Sequence, residues 1–282
     1  MAGRSDPGRN GAPPVLDSEF TADALGVFLR QVLADAGRTT FVVGLSGGLD
    51  SAVAAAVAAR AVGPDAVRAF HLPVAITPPE CAPLAGGVAD ALGISLETVD
   101  IAPLAAAAPV PDDPLRRGNL ASRLRMAVLY DRAAEAGALV LGTSNKTEIV
   151  LGYTTLWGDA AADCRPLGDL YKTQVSAMGR ALGLPAAVLE RTPSAELWPG
   201  QTDEDEMGIS YSVADAVLYY YLDLRWRPAE IARAGFDPAA VDRVLSRVRA
   251  QSHKRTAPPI PKLGTRTVGL DFLHPRAWRG PA

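Results

Sequence analysis

The stretch Thr39-Thr40-Phe41-Val42-Val43-Gly44-Leu45-Ser46-Gly47-Gly48-Leu49-Asp50-Ser51 passes from a β-type apolar run, through small residues, into an alanine-rich helix over 52–61. A strand that turns sharply into a helix leaves several backbone N–H groups facing one spot, at the positive end of the helix dipole, where phosphate oxygens bind well. Gly47 and Gly48 let the backbone approach a ligand because no Cβ intervenes. Ser46 and Ser51 add hydroxyl donors, and Asp50 adds a carboxylate able to hold the magnesium that a polyphosphate carries. No lysine follows the glycines as in GxxxxGK[ST], and GxGxxG is absent too.

Outward from this turn, strands and helices alternate. Strands are expected over 39–43, 66–72, 96–101 and 138–141. Helices are expected over 17–36, 79–92 and 119–136, the last two closed by Gly93 and Gly137. The first helix is expected to bury Phe20, Leu25, Phe28, Leu29, Val32 and Leu33. Such alternation implies right-handed crossovers and an α/β fold, a Rossmann-like parallel sheet flanked by helices. The C-terminal part reads as mainly helical, over 171–182, 213–222, 228–234 and 238–252. Ligands of open parallel sheets bind beyond the carboxyl ends of the strands. The SGGLDS turn lies at one such end and Gly142-Thr143-Ser144-Asn145-Lys146-Thr147-Glu148 at another, so two polar loops converge.

The chain has 282 residues, nearly half of them apolar, and a formal charge of −3. That charge gives no sign of the concentrated basic face a nucleic-acid binder needs. Cys81 and Cys164 have no metal-ligand spacing and are expected to be buried. No apolar run is long enough to cross a bilayer, and the N-terminus lacks a hydrophobic signal core, so a cytoplasmic protein is expected. Residues 1–14, rich in Gly, Pro, Arg and Ser, are expected to form a disordered tail. Residues 15–263 would be a single domain and 264–282 a C-terminal arm.

The turn resembles the SGGxDS pyrophosphate loop of ATP pyrophosphatases, which cleave ATP between the α- and β-phosphates. Further blocks narrow the resemblance: Gly142 to Glu148, Gly158-Asp159, Asp163, Pro166-Leu-Gly-Asp-Leu-Tyr-Lys-Thr-Gln174, the segment 193–206 containing Gly-Gln-Thr-Asp-Glu, and His253-Lys254-Arg255. In this order the series resembles ammonia-dependent NAD synthetase from about residue 20 to about 263. The resemblance implies ATP-dependent adenylylation of the nicotinate carboxylate of deamido-NAD, then displacement of AMP by ammonia to give NAD.

It also implies roles. Gly44, Leu45, Ser46, Gly47, Gly48, Leu49, Asp50 and Ser51 would bind ATP, together with Thr143, Lys172 and Ser194. Asp50 and Glu148 would hold Mg2+. Arg123, Asp163, His253 and Lys254 would bind deamido-NAD. Asp50, Lys172 and Asp163 form the expected catalytic set, Asp163 by helping to deprotonate incoming ammonium. Plainer readings stand beside these: Arg123 and Arg125 as solvated residues, Glu148 as a partner of a helix dipole, residues 203–206 as a wet acidic loop, His253-Lys254-Arg255 as a basic helix end. The family implies a homodimer, with no nucleic-acid or membrane partner.

Some positions depart from the family. Leu156 stands where many members have a lysine contacting deamido-NAD, Ala160-Ala161-Ala162 replaces a glycine pair, and Val74 replaces an aromatic residue. The stretch before the first strand is too short for the amidase domain of glutamine-dependent relatives. Free ammonia is the expected donor, a separate amidase subunit the alternative. Competing readings are an adenylating amidotransferase for another carboxylate, a non-catalytic nucleotide-binding module, and a tRNA-modifying enzyme that would need basic surface or paired cysteines.

Overall fold

The computed structural model describes residues 11–110, 113–194 and 200–272. Along these, the order is α1 (Ser18–Ala36), β1 (Phe41–Gly44), α2 (Leu49–Val62), β2 (Val67–His71), α3 (Cys81–Leu92), β3 (Ser95–Thr98), α4 (Ala102–Ala107), α5 (Pro114–Ala136) and β4 (Leu139–Val140). Then follow α6 (Lys146–Leu151), α7 (Lys172–Ala181), α8 (Ala186–Leu189), α9 (Asp203–Met207), α10 (Tyr211–Leu218), α11 (Pro228–Arg233) and α12 (Pro238–Ala250). The four strands form one parallel sheet in the order β3-β2-β1-β4, with Phe41 paired to Val67 on one side and Leu139 on the other. The expected sheet flanked by helices is therefore present.

Strand β1 is central because Phe41, Val42 and Val43 are wholly buried, which requires cover on both faces. Phe41 and Val43 join α1, α2 and α7 in one core, while Val42 joins Phe70, Val140, Ala121 and Leu129 under α5. A third core, made by α6, α10, α11 and α12, carries Tyr219 and Tyr220. There the tyrosine run leaves the α-helical path and forms a π-helical turn over Tyr219–Asp223.

Several boundaries differ from the sequence reading, each for a local reason. Helix α1 is turned so that Ala22, Gly26, Leu29, Val32 and Leu33 face inward while Phe20 and Phe28 are exposed. Its neighbour α2 presents small side chains, and a Cβ on Gly26 would lie 3.6 Å from that of Ala61, so the helices meet through their least bulky faces. Helix α5 begins at Pro114 rather than 119 because Asp113 caps it, accepting from the Arg116 N–H at 3.1 Å. Strand β3 stops at Thr98, and Asp100 caps the start of α4 through the Ala102 N–H. The acidic run is not a wet loop throughout: Thr202 caps α9, and Asp203 is buried. Residues 11–14 of the expected tail contact the body, with Gly11 and Pro13 buried and the Pro14 carbonyl accepting from Gln174 at 3.0 Å.

Candidate functional site

The turn between β1 and α2 is braced from within. Ser51 Oγ donates to the Gly48 carbonyl at 2.9 Å, and the Gly48 N–H donates to Ser46 Oγ at 3.1 Å. His71, buried at the end of β2, has Nδ1 3.0 Å from the Leu45 carbonyl. That oxygen can only accept, so the ring carries its proton on Nδ1. Gly47 has φ +83°, and a Cβ there would lie 2.8 Å from the Cys81 carbonyl oxygen. The loop is thus wedged against α3, with the first turn of α2 aimed outward.

The two polar loops do converge. Asn145 caps α6 by accepting from the Glu148 N–H at 3.0 Å, and Glu148 returns the bond to the Asn145 N–H at 3.2 Å. The amide of Asn145 donates to Asp50 at 2.9 Å, joining one loop to the other. Lys172, at the start of α7, pairs with Asp50 and lies 3.4 Å from Glu148, its side chain only 8% exposed. Its ammonium also sits 5.0 Å from the centre of the Tyr211 ring.

A buried carboxylate of the C-terminal helices fixes this spacing. Asp215, on α10 and wholly buried, accepts from Thr147 Oγ1 and, at 2.8 Å, from the Thr173 N–H. Thr147 Oγ1 in turn accepts from the Lys172 N–H at 3.0 Å. Thr147 precedes Glu148 and Thr173 follows Lys172, so one side chain locks the starts of α6 and α7 together.

Burial, and then the neighbouring Asp50 charge, push the Glu148 carboxyl up to about 8 against the pull of Lys172. For Lys172, burial opposes the charged form, but Asp50 and Glu148 outweigh it and hold the ammonium above its ordinary value. Near neutrality the cluster therefore keeps a close Asp50–Lys172 ion pair and a proton on Glu148. A carboxyl raised by folding favours the native state below its unfolded value, and that contribution disappears as pH climbs through the folded value. The metal-free chain is expected to lose stability from about pH 4.5 to about 8 through this group. Denaturant melts across that window should show a flatter decline for Glu148→Gln; an unchanged slope would refute the assignment.

Around this centre lies a cavity of about 500 Å³. Its wall includes Gly44, Leu45, Ser46, Gly48, Leu49, Asp50 and Ser51, with Thr143, Glu148, Lys172, Ser194 and Lys254. A polar loop at a helix N-terminus, two acidic side chains and a buried lysine facing one cavity make a site for a nucleoside polyphosphate and a cation. The NAD synthase family model matches residues 21–258, through every one of these elements.

The chain belongs to the NAD synthase family. An NH3-dependent NAD+ synthetase from Trichlorobacter lovleyi is 44% identical over 89% of this chain and 93% of its own length. Among solved structures, an NMN synthetase from Francisella tularensis superposes with TM-score 0.78 at 33% identity, covering 88% of this chain and 99% of its own. An NH3-dependent NAD synthetase from Campylobacter jejuni, complexed with nitrate, gives TM-score 0.74 at 27% identity over 88% of this chain and all of its own.

Not every residue expected from the NAD synthase pattern faces the cavity. Gly47 supports the loop from behind. Arg123 points away, and its Nε donates to the Leu156 carbonyl at 3.1 Å. Arg125 lines the wall instead, held by the Leu72 carbonyl at 3.0 Å and Thr77 Oγ1 at 3.4 Å. Asp163 also turns from the cavity: its carboxylate accepts from the Val140 N–H at 2.7 Å and from Tyr130 at 3.4 Å. Of the two, it is Asp159 that lines the wall, accepting from Ser122 Oγ at 2.9 Å and the Thr155 N–H at 2.8 Å. Burial raises its pKa against those bonds. His253 is exposed, whereas its neighbour Lys254 donates to the carbonyls of Gly152 and Thr154 at 2.8 and 2.6 Å. Asp203, missed in the sequence, lines the wall and accepts from Tyr153 at 3.1 Å and Tyr211 at 2.8 Å.

Proposed function

We infer that the chain amidates the nicotinate carboxyl of deamido-NAD with ammonia, consuming ATP and yielding NAD, AMP and pyrophosphate. The meeting of Asp50, Glu148 and Lys172 beside the phosphate-type loop carries this reading. A carboxylate is a poor acyl donor, and joining it to AMP as a mixed anhydride supplies a leaving group. Negative charge builds at the α-phosphate during that attack, and Lys172 is placed to offset it. The loop N–H groups and the Ser46 and Ser51 hydroxyls would hold the departing pyrophosphate, with Thr143 and Ser194 on the nucleotide's other sides. Lys254 would take part in holding deamido-NAD.

The residues fit a Mg2+ ion. Asp50 and Glu148 come from convergent loops and both lie within reach of the Lys172 ammonium, so two carboxyl groups share one region. Among the described residues no group of three or more His, Cys, Asp or Glu could hold a metal by itself. Magnesium commonly takes one or two carboxylates and completes its shell with phosphate oxygens and water. When bound, it would neutralise charge on the ATP phosphates.

The amidation step needs a base for the incoming ammonium, and Asp159 is better placed than Asp163. Its raised pKa suits a proton acceptor on the wall. Asp159→Asn should still release pyrophosphate from ATP and deamido-NAD while NAD formation falls by about 100-fold. Asp163→Asn should leave the two products in step. A loss of coupling in Asp163→Asn alone would return the role to that residue.

The chain is proposed to act as a homodimer in the cytoplasm. Exposed Leu104 and Trp157 offer apolar surface to a partner. No helix of the described residues is long and apolar enough to cross a membrane. The deciding assay supplies ATP, magnesium and either ammonium or glutamine, with deamido-NAD or the mononucleotide acid, and follows NAD, AMP and pyrophosphate. NAD formed with ammonium in step with AMP supports the reading. ATP consumption with the mononucleotide acid alone would move the substrate to that class, and ATP binding without turnover would overturn the enzyme assignment.

A further inference from the structure

The cations lining the cavity are nearly all engaged by the protein. Lys172 pairs with Asp50 and Glu148, Arg125 bonds Leu72 and Thr77, Arg191 bonds Cys81 Sγ at 3.2 Å, and Lys254 bonds two carbonyls. Arg247, on α12, differs. It lines the same wall, its guanidinium stands 5.2 Å from the centre of the Tyr153 ring, and its Nε is buried without a hydrogen-bond partner. No carboxylate of the described residues pairs with it. A buried donor left unmade is costly, and a guanidinium presents a planar fork suited to phosphate oxygens. The ring stands at cation–π distance from it. Lys254 lies close enough that the two cations repel: burial first and then Arg247 lower the lysine's pKa, while Asp159, the strongest of its charged neighbours, and Glu206 work against them. Two adjacent cations on a cavity wall, one of them without a partner, define an anion-binding patch.

We propose that Arg247, with Lys254 beside it, binds a phosphate of the acid substrate and helps set the affinity for it. The triphosphate of ATP already has the SGGLDS loop and Lys172. The wall formed by Tyr153, Thr154, Thr155, Gln251 and Lys254 belongs to a different part of the cavity lining, contributed by the loop after α6 and by α12 and its end. The acid substrate is the other phosphate-bearing molecule of the reaction. Leu156, on the same loop, provides no cation and offers its carbonyl to Arg123. Arg247 therefore brings positive charge to this wall from a helix rather than from the loop.

This proposal rests on the amidation reading, and wild-type turnover tests that reading separately from the arginine. The experiment compares wild type, Arg247→Gln and Arg247→Lys under saturating ammonium and magnesium. Arg247→Gln should raise KM for deamido-NAD by at least about tenfold, the usual scale of one charge-assisted bond, with kcat and KM for ATP changed less than about twofold. The salt dependence of that KM should flatten, since a phosphate contact has been lost. Arg247→Lys should recover part of the affinity and of the salt dependence. A rise in KM for ATP instead, an unchanged KM for deamido-NAD, or a wild-type salt dependence in Arg247→Gln would each overturn the proposal. If Arg247→Gln proves unstable, the lysine variant decides: it keeps the charge without the fork, so a KM for deamido-NAD equal to wild type in both value and salt response would refute recognition by the guanidinium.

Discussion

Lys172→Met is expected to lower kcat for NAD formation by about 100- to 1000-fold, the usual cost of removing a preorganised group aimed at developing charge. The ammonium is buried between Asp50 and Glu148 and above the Tyr211 ring, so methionine fills much of its volume but none of its charge. The same change leaves two carboxyls facing each other. Breaking a buried pair by removing one partner typically costs about 3–5 kcal/mol. Glu148 can lessen that penalty by keeping its proton, as its raised pKa already favours. The variant should therefore melt lower without metal and gain more from added magnesium than wild type, because the two acids no longer share a lysine. Magnesium should restore Tm and leave activity low. A variant with a wild-type melt and kcat within about tenfold of wild type would remove Lys172 from the mechanism.

Gly47→Ala should be the most damaging single methyl group in the nucleotide loop. The backbone there has φ +83°, which L side chains rarely adopt, and the added carbon would meet the Cys81 carbonyl at 2.8 Å and Leu84 Cβ at 3.0 Å. Both belong to α3, whose backbone cannot step aside cheaply. A strained backbone position of this kind costs about 1–3 kcal/mol, and relief requires the loop to leave α3. ATP affinity should fall by about 100-fold or more, because the N–H groups no longer point to one place. Gly48→Ala is the useful contrast. Its φ is −94°, and its nearest obstacle is Ser46 Oγ at 3.1 Å, a side chain that can rotate. That variant should melt nearly as wild type and lose ATP affinity through contact with the ligand alone. Binding calorimetry and thermal melts on both variants separate the cases. Normal ATP binding by Gly47→Ala would show that the loop does not act as a rigid cradle.

What the sequence revealed was local. The strand, turn and helix around Gly47 are written in consecutive residues, and alternating apolar runs located all four strands. Which of Arg123 and Arg125 faces the cavity was legible in principle. Ser122, Met126 and Leu129 line the cavity at helical spacing, and that stripe includes position 125, two residues and about half a turn from 123. Which of Asp159 and Asp163 faces the cavity was not legible. Asp163 is drawn away by the Val140 N–H of a neighbouring strand, and Asp159 is held by Ser122 from α5, both contacts between residues far apart in the chain. Asp203 was hidden among like charges for the same reason. What distinguishes it is the Tyr211 hydroxyl, which donates to Asp203 alone of the run; Tyr153 is shared with Glu206, at 2.8 Å. Composition describes a charge run as a block, whereas tertiary contacts sort its members one by one.

The Asp215 clamp makes the two halves of the molecule unequal in what they can do alone. The nucleotide loop is braced by its own serines, His71 and α3, all within the sheet half. The spacing of Glu148 and Lys172 is instead held by a carboxylate from the C-terminal helices. The loop and the Glu148–Lys172 pair are therefore braced by different parts of the chain. Loosening of the C-terminal helices would disturb the spacing of Glu148 and Lys172 before it disturbed the loop itself.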